Sequence, residues 1–221
     1  MTGSEAKGIL MGVPYPNRMT ADVFLTWLET QRERHELVNG RPVRMMAGAK
    51  QSHNVVTTNV VVALSSAAKQ RGCRTTSSDT AVRTGSDGIR YPDVVVDCGP
   101  PDPDAKEALR PTLVVEISSP NTLITDATDK LDEYRMHGDI QVIMLIEPDV
   151  VSVKIYRRAS GGEWEIERYE DLGSVIALPE IAADLPVANI YDTLDPKLRT
   201  RLQLVSDPDQ PTEFQPSQSE T

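Results

Sequence analysis

Two apolar runs restrict what this chain can fold into. Val94-Val95-Val96 and Leu113-Val114-Val115 are continuous and rich in β-branched residues, and they lack the alternation of a strand with one wet face. Such runs mark strands covered on both sides, so the chain needs a sheet with a layer packed on each face. Helices to supply those layers are present. Val55, Val56, Val60, Ala63, Leu64 and Ala67 recur at helical spacing in a segment that starts at Ser52 or His53 and stops at Gly72. A second helix is expected from about 122 to 137, with Leu123, Ala127, Leu131 and Tyr134 on one side and Gly138 at its end.

The remaining elements follow from turn chemistry. Thr20 caps a first helix that carries Val23, Phe24, Trp27 and Leu28 and runs to about residue 34. Asn39-Gly40 between two short runs predicts a hairpin, because both turn positions require positive φ; Glu36 lies on its first strand. Strand-like segments cover 74–83, 88–97, 111–118 and 141–147. A second hairpin spans 152–169 around Ser160-Gly161-Gly162. The order implies an α/β (α+β) fold, a mixed central sheet flanked by helices, with an N-terminal helix and hairpin and a C-terminal hairpin. Residues 1–17 read as a flexible leader and 18–192 as one domain. Residues 193–221 read as an extension, disordered from about 206, where Pro, Gln, Ser and Asp dominate.

No apolar stretch approaches the ~20 residues of a membrane helix, and the N-terminus lacks the basic and apolar regions of a secretory signal. Cys73 and Cys98 are too few for a disulfide framework or a zinc set, so a reducing, cytoplasmic location is expected. Three histidines, none closely paired, argue against a zinc hydrolase. The net charge of −10 opposes general nucleic-acid binding. The charge is unevenly spread, however. Residues 30–90 hold ten Lys/Arg against four Asp/Glu, and residues 91–191 hold eight against twenty. This spread reads either as scattered surface charge or as a basic stretch beside an acidic centre, and the second suits a metal-dependent nuclease.

Asp93 follows Pro92 at the head of one central strand, and Glu116 lies near the end of the next. A carboxylate inside a β-prone run is costly to bury unless it is paired or bound to a cation. Two together repel unless a cation lies between them, and carboxylate with water is the ligation magnesium or manganese prefers. Lys130 is on the helix after Glu116, four residues from both Asp126 and Tyr134, so the three share a helix side. From spacing alone, Asp93 also reads as a turn residue and Lys130 as a solvated partner of nearby acids. Asp97 shares the strand face of Asp93 but lies about 13 Å along it, outside the site.

These features together resemble a known family. The Pro92-Asp93 pair, the strand ending in Glu116, the following Ser119-Pro120-Asn121-Thr122 and the Asp126, Lys130, Tyr134 helix resemble the Uma2 family of predicted endonucleases. Met19-Thr20, Glu36-Leu37-Val38-Asn39-Gly40 and Ser52-His53 extend the resemblance over about residues 19–190. It implies the PD-(D/E)XK, restriction-endonuclease-like fold, with Asp93 and Glu116 as metal ligands. The superfamily's lysine, two residues past the second acid, is replaced by Ser118, which implies that Lys130 takes its place. Glu36 is implied as a further catalytic acid. His53 and Lys50 are further candidates to approach the same cleft, with a helix-start role the alternative for His53.

The expected activity is a phosphodiesterase dependent on magnesium or manganese and acting on nucleic acid, with DNA the expected substrate. Arg41, Arg44, Lys50 and Arg74, with Arg71 and Arg83 nearby, are expected to hold the backbone. A homodimer is expected because duplex cutters are commonly symmetric. The rival expectation is a non-catalytic module that keeps the nuclease fold for dimerisation or for binding protein or nucleic acid.

Overall fold

The computed structural model describes residues 18–45, 48–118 and 124–198, with side chains of the last segment described from residue 128. The expected leader and most of the C-terminal extension lie outside the described residues, as do Ser119 to Leu123.

Helix α1, Ala21–Leu28, is capped by the Thr20 hydroxyl. It stops short of residue 34 because Thr30 and Gln31 turn back on the carbonyls of Trp27 and Leu28. Strands β1, His35–Val38, and β2, Arg41–Arg44, form the expected hairpin. Asn39 and Gly40 hold φ of 49° and 75°, as a two-residue turn of that hand requires. Helix α2, Gln51–Gln70, follows. Strands β3, Arg74–Ser77, β4, Val82–Gly85, β5, Gly88–Arg90, β6, Val94–Asp97, and β7, Pro111–Ile117, come next. Helix α3, Ile124–Met136, leads to β8, Val142–Glu147, then the hairpin of β9, Ser152–Arg158, and β10, Trp164–Tyr169. The chain closes with β11, Val175–Leu178, a short 3-10 turn, β12, Ala183–Pro186, and the single-turn α4, Val187–Ile190.

The strands do not form one sheet. A six-stranded sheet has the order β10-β9-β8-β7-β6-β3, and a separate four-stranded sheet the order β2-β1-β5-β4. The expected single strands 74–83 and 88–97 are therefore each split between the two sheets. Pro92 supplies the reason at the second break. It has no N–H to give to a ladder, so the chain leaves the small sheet at Arg90 and joins the large one at Val94. At the first break Ser78 takes a positive φ of 52°.

The large sheet is mixed. Strands β7 and β8 are parallel, so a crossover is obligatory, and α3 provides it. Both faces are covered, as the Val-rich runs require. Val94, Val96, Leu113, Val115 and Ile117 pack with Val56, Val60 and Leu64 of α2 and with Ile176, Leu178 and Leu185 of the small closing hairpin. Val95, Val114 and Ile143 pack on the other face with Tyr134 of α3 and Ile140. The closing hairpin and α4 carry too little periodicity to be foreseen. A third cluster seats Phe24 of α1 against Leu37 and Ile89 of the small sheet.

The cysteines depart from the expectation of an isolated, reduced pair. Cys73 and Cys98 are joined by a disulfide. They flank β3 and β6, whose register pairs Arg74 with Asp97, so the next positions along both strands face each other.

Candidate active site

The antiparallel register of β6 and β7 pairs Val94 with Val115, which brings Asp93 opposite Glu116. Directly opposed residues share a sheet face with Cβ atoms about 5 Å apart. The link is made explicit by the Ile117 amide, which donates to Asp93 Oδ2 at 2.7 Å. The other oxygen of Asp93 lies 3.3 Å from His53 Nε2. Helix α2 begins at Gln51, so His53 is inside its first turn and reaches the sheet end rather than serving as a cap. Its Nδ1 is buried without a hydrogen-bond partner among the described residues.

Helix α3 delivers two groups to Glu116 from successive turns. The Tyr134 hydroxyl donates to Glu116 Oε1 at 2.7 Å, and Lys130 Nζ stands 3.8 Å from the same oxygen. Lys130 is nearer to Glu36, at 3.1 Å from Oε1. Glu36 comes from β1 of the small sheet. It accepts from the Tyr91 amide at 3.2 Å and from Arg90 Nη1 at 3.0 Å. Asp93, Glu116, Lys130 and Glu36 thus meet where α2, α3 and both sheets converge. The side chain of Asp126, expected on the same helix side as Lys130, lies outside the described residues.

The cluster is mostly dry. Side-chain exposure is 20% for Glu116, 15% for Lys130 and 7% for Glu36. Burial pushes the Glu116 carboxyl up to about 7; Asp93 and Glu36 add to the rise, while Lys130 and the Tyr134 hydroxyl oppose it. His53 is also raised, by its hydrogen bond to Asp93 against the opposing effect of burial. The carboxylates are therefore short of positive charge, and a cation at Asp93 and Glu116 would relieve that shortage. Among the described residues no group of three or more His, Cys, Asp or Glu side chains is arranged around one metal position. Two carboxylates completed by water suit magnesium or manganese, which keep several waters, better than zinc.

The basic residues expected on nucleic acid are dispersed. Arg41 and Arg44 lie exposed on β2, beside the strand that carries Glu36, and Arg44 pairs with Glu33 at 2.7 Å. Lys50 pairs with Asp149 at 2.8 Å. Arg83 is held by Glu107 and Asp22. Arg74 is bound to Asp97 and to the Gly99 and Pro100 carbonyls, at the opposite end of β6 from Asp93. Two residues beside the site were not foreseen, Arg90 and Glu133. Arg90 is fully buried, and its position after Ile89 in a strand-like segment is the same signal that marked Glu116.

Comparison with known proteins identifies the family and the fold. A family model described as "Uma2: Putative restriction endonuclease" matches residues 21–194. The uncharacterized protein slr1290 of Synechocystis sp. is 28% identical over 180 residues, covering 80% of this chain and 93% of that protein. A crystal structure of a putative nuclease belonging to DUF820 from Anabaena variabilis superposes with a TM-score of 0.63 at 24% identity, covering 78% of this chain and 97% of that one. The last likeness speaks to the fold, which is shared across nearly the whole of the Anabaena chain. With the family model spanning both sheets, α2 and α3, this chain belongs to the Uma2 family of nucleases, described as putative restriction endonucleases.

Proposed function

We propose that this protein is a magnesium- or manganese-dependent phosphodiesterase that cleaves nucleic acid, with DNA as the substrate. The carrying observation is the placement of Asp93 opposite Glu116 in a buried cluster with excess negative charge. Among the described residues, the carboxyls of Asp93, Glu116, Glu36 and Glu133 face Arg90, Lys130 and the His53 imidazole, so the acids outnumber the basic groups, and a divalent cation would offset the remainder. A divalent ion held by Asp93 and Glu116 would acidify a bound water and polarise the scissile phosphate. Lys130, suspended between Glu36 and Glu116, orients the attacking water and offsets charge on the transition state. Tyr134 fixes the orientation of Glu116, and the Ile117 amide and His53 fix that of Asp93. Exposed Arg41 and Arg44, on the hairpin that carries Glu36, contact the phosphate backbone.

Calorimetric titration with manganese tests the site, since Asp93→Ala and Glu116→Ala should each abolish binding. Cleavage of mixed DNA and RNA in manganese, with Lys130→Ala as a control expected to be slowed but measurable, tests the chemistry. One observation favours a second reading, a binding module without turnover. Lys130 lies closer to Glu36 than to Glu116, and Ser118 occupies the usual lysine position. Intact manganese binding with no cleavage in any divalent metal would select that reading.

A further inference from the structure

Arg90 closes β5 with its side chain wholly inside the protein. Its Nε and Nη2 meet the two oxygens of Glu133 at 2.8 and 2.7 Å, a planar two-point contact. Its Nη1 takes Glu36 Oε2 at 3.0 Å. The Thr84 hydroxyl adds a fourth bond, 2.8 Å to Glu133 Oε2. Removing a guanidinium and two carboxylates from water is costly, and an apolar pair of similar volume commonly packs at least as stably. The network therefore calls for a role other than stability, and its geometry supplies one.

Glu133 is three residues after Lys130 and next to Tyr134 on α3. Pinning Glu133 with a rigid fork fixes the rotation of the helix about its own axis. That rotation decides whether Lys130 and Tyr134 point at Glu116. Arg90 also satisfies Glu133 and one oxygen of Glu36, two acids that would otherwise compete for the Lys130 ammonium. We propose that Arg90, through Glu133 and Glu36, is the positioning residue that keeps Lys130 shared between Glu36 and Glu116. The proposal rests on the phosphodiesterase reading, in which Lys130 serves the chemical step.

The test is a mutant cycle with a structural readout. Arg90→Met together with Glu133→Leu replaces the ion pair by an apolar pair. In manganese on duplex DNA, kcat should fall roughly 10- to 100-fold, the range typical of groups that orient a metal site's ligands, with KM changed less than about 3-fold. In a Lys130→Met background the same pair of substitutions should alter kcat by less than about 3-fold, because an effect relayed through Lys130 has nothing left to act on. A crystal structure of the Arg90→Met/Glu133→Leu protein should show Lys130 Nζ displaced from Glu116. Full additivity in the Lys130→Met background, or an unmoved Lys130 in the variant crystal, overturns the proposal. If the paired variant fails to fold, Arg90→Lys, which keeps the charge and loses the fork, carries the same cycle and crystal structure with the same deciding outcomes. Absence of cleavage by the unmutated protein overturns the phosphodiesterase reading, and the position of Lys130 in the variant crystal still decides the placement claim.

Discussion

Glu116 holds a carboxylate where charge is disfavoured, and that cost is measurable without any metal. A carboxyl raised toward 7 from 4.5 stabilises the fold below pH 4.5 and loses that contribution as pH rises toward 7. Glu116→Gln, stripped of divalent ions, should therefore be more stable than the native protein above pH 7, by about 1–3 kcal/mol, with the difference vanishing near pH 4. Denaturant melts at both pH values check this. Asp97 behaves in the opposite sense. Burial alone would raise it, but the amides of Gly99, Arg110 and Leu109 and the Arg74 guanidinium outweigh burial and hold it below the ordinary range. Its contribution is full above pH 4 and is lost as pH falls through the lowered value. Asp97→Ala should cost about 2–4 kcal/mol at pH 7 by the same melts, with a smaller penalty in acid. At the Asp93 end of β6, under the proposed metal role of Asp93, His53→Ala should weaken manganese binding about 10- to 100-fold by calorimetry, as loss of a ligand's orienting partner does, while His53→Gln retains more.

The elements hold the site by their ends. Glu36 depends on the β1–β2 hairpin, and the hairpin depends on its turn. Gly40 has φ of 75°, donates to the Asp87 carbonyl and accepts from the Met19 amide. A Cβ there would approach the Met19 carbonyl oxygen to 3.2 Å. Gly40→Ala should thus destabilise by about 1–2 kcal/mol, more than the intrinsic preference for glycine, and the loss should appear as a lower melting temperature. This turn was legible because Asn-Gly has a local conformational cause. The length of α1 was not, since its end is set by Thr30 and Gln31 folding back on it. The split of 88–97 into β5 and β6 was half legible. Pro92 signals a broken ladder, but the sequence does not say that the broken strand changes sheets.

At the scale of the whole molecule, the site exists only where α2, α3 and the two sheets come together. His53, Asp93, Glu116, Lys130 and Glu36 are separated by long stretches of chain, and none of their contacts is local. The Cys73–Cys98 link closes a separation of 25 residues at the edge of the large sheet. A crosslink of that loop length contributes about 3.5 kcal/mol through the unfolded state. Reductant should therefore lower the melting temperature of the native protein and leave that of Cys73→Ser/Cys98→Ser unchanged.

The acids at positions 93 and 116 were legible as a candidate pair because a carboxylate in or beside a β-prone run is costly to bury unless paired or bound to a cation, and because the surrounding motifs resemble the Uma2 family. The helix with Lys130 and Tyr134 on one side was legible for the same reason of local periodicity. Which strands share a sheet, that Arg74 serves Asp97 rather than an open surface, and that Arg90 grips Glu133 were decided only by the tertiary structure. Each depends on register and on contacts between distant segments, where loop closure and packing, rather than local preference, select the partner.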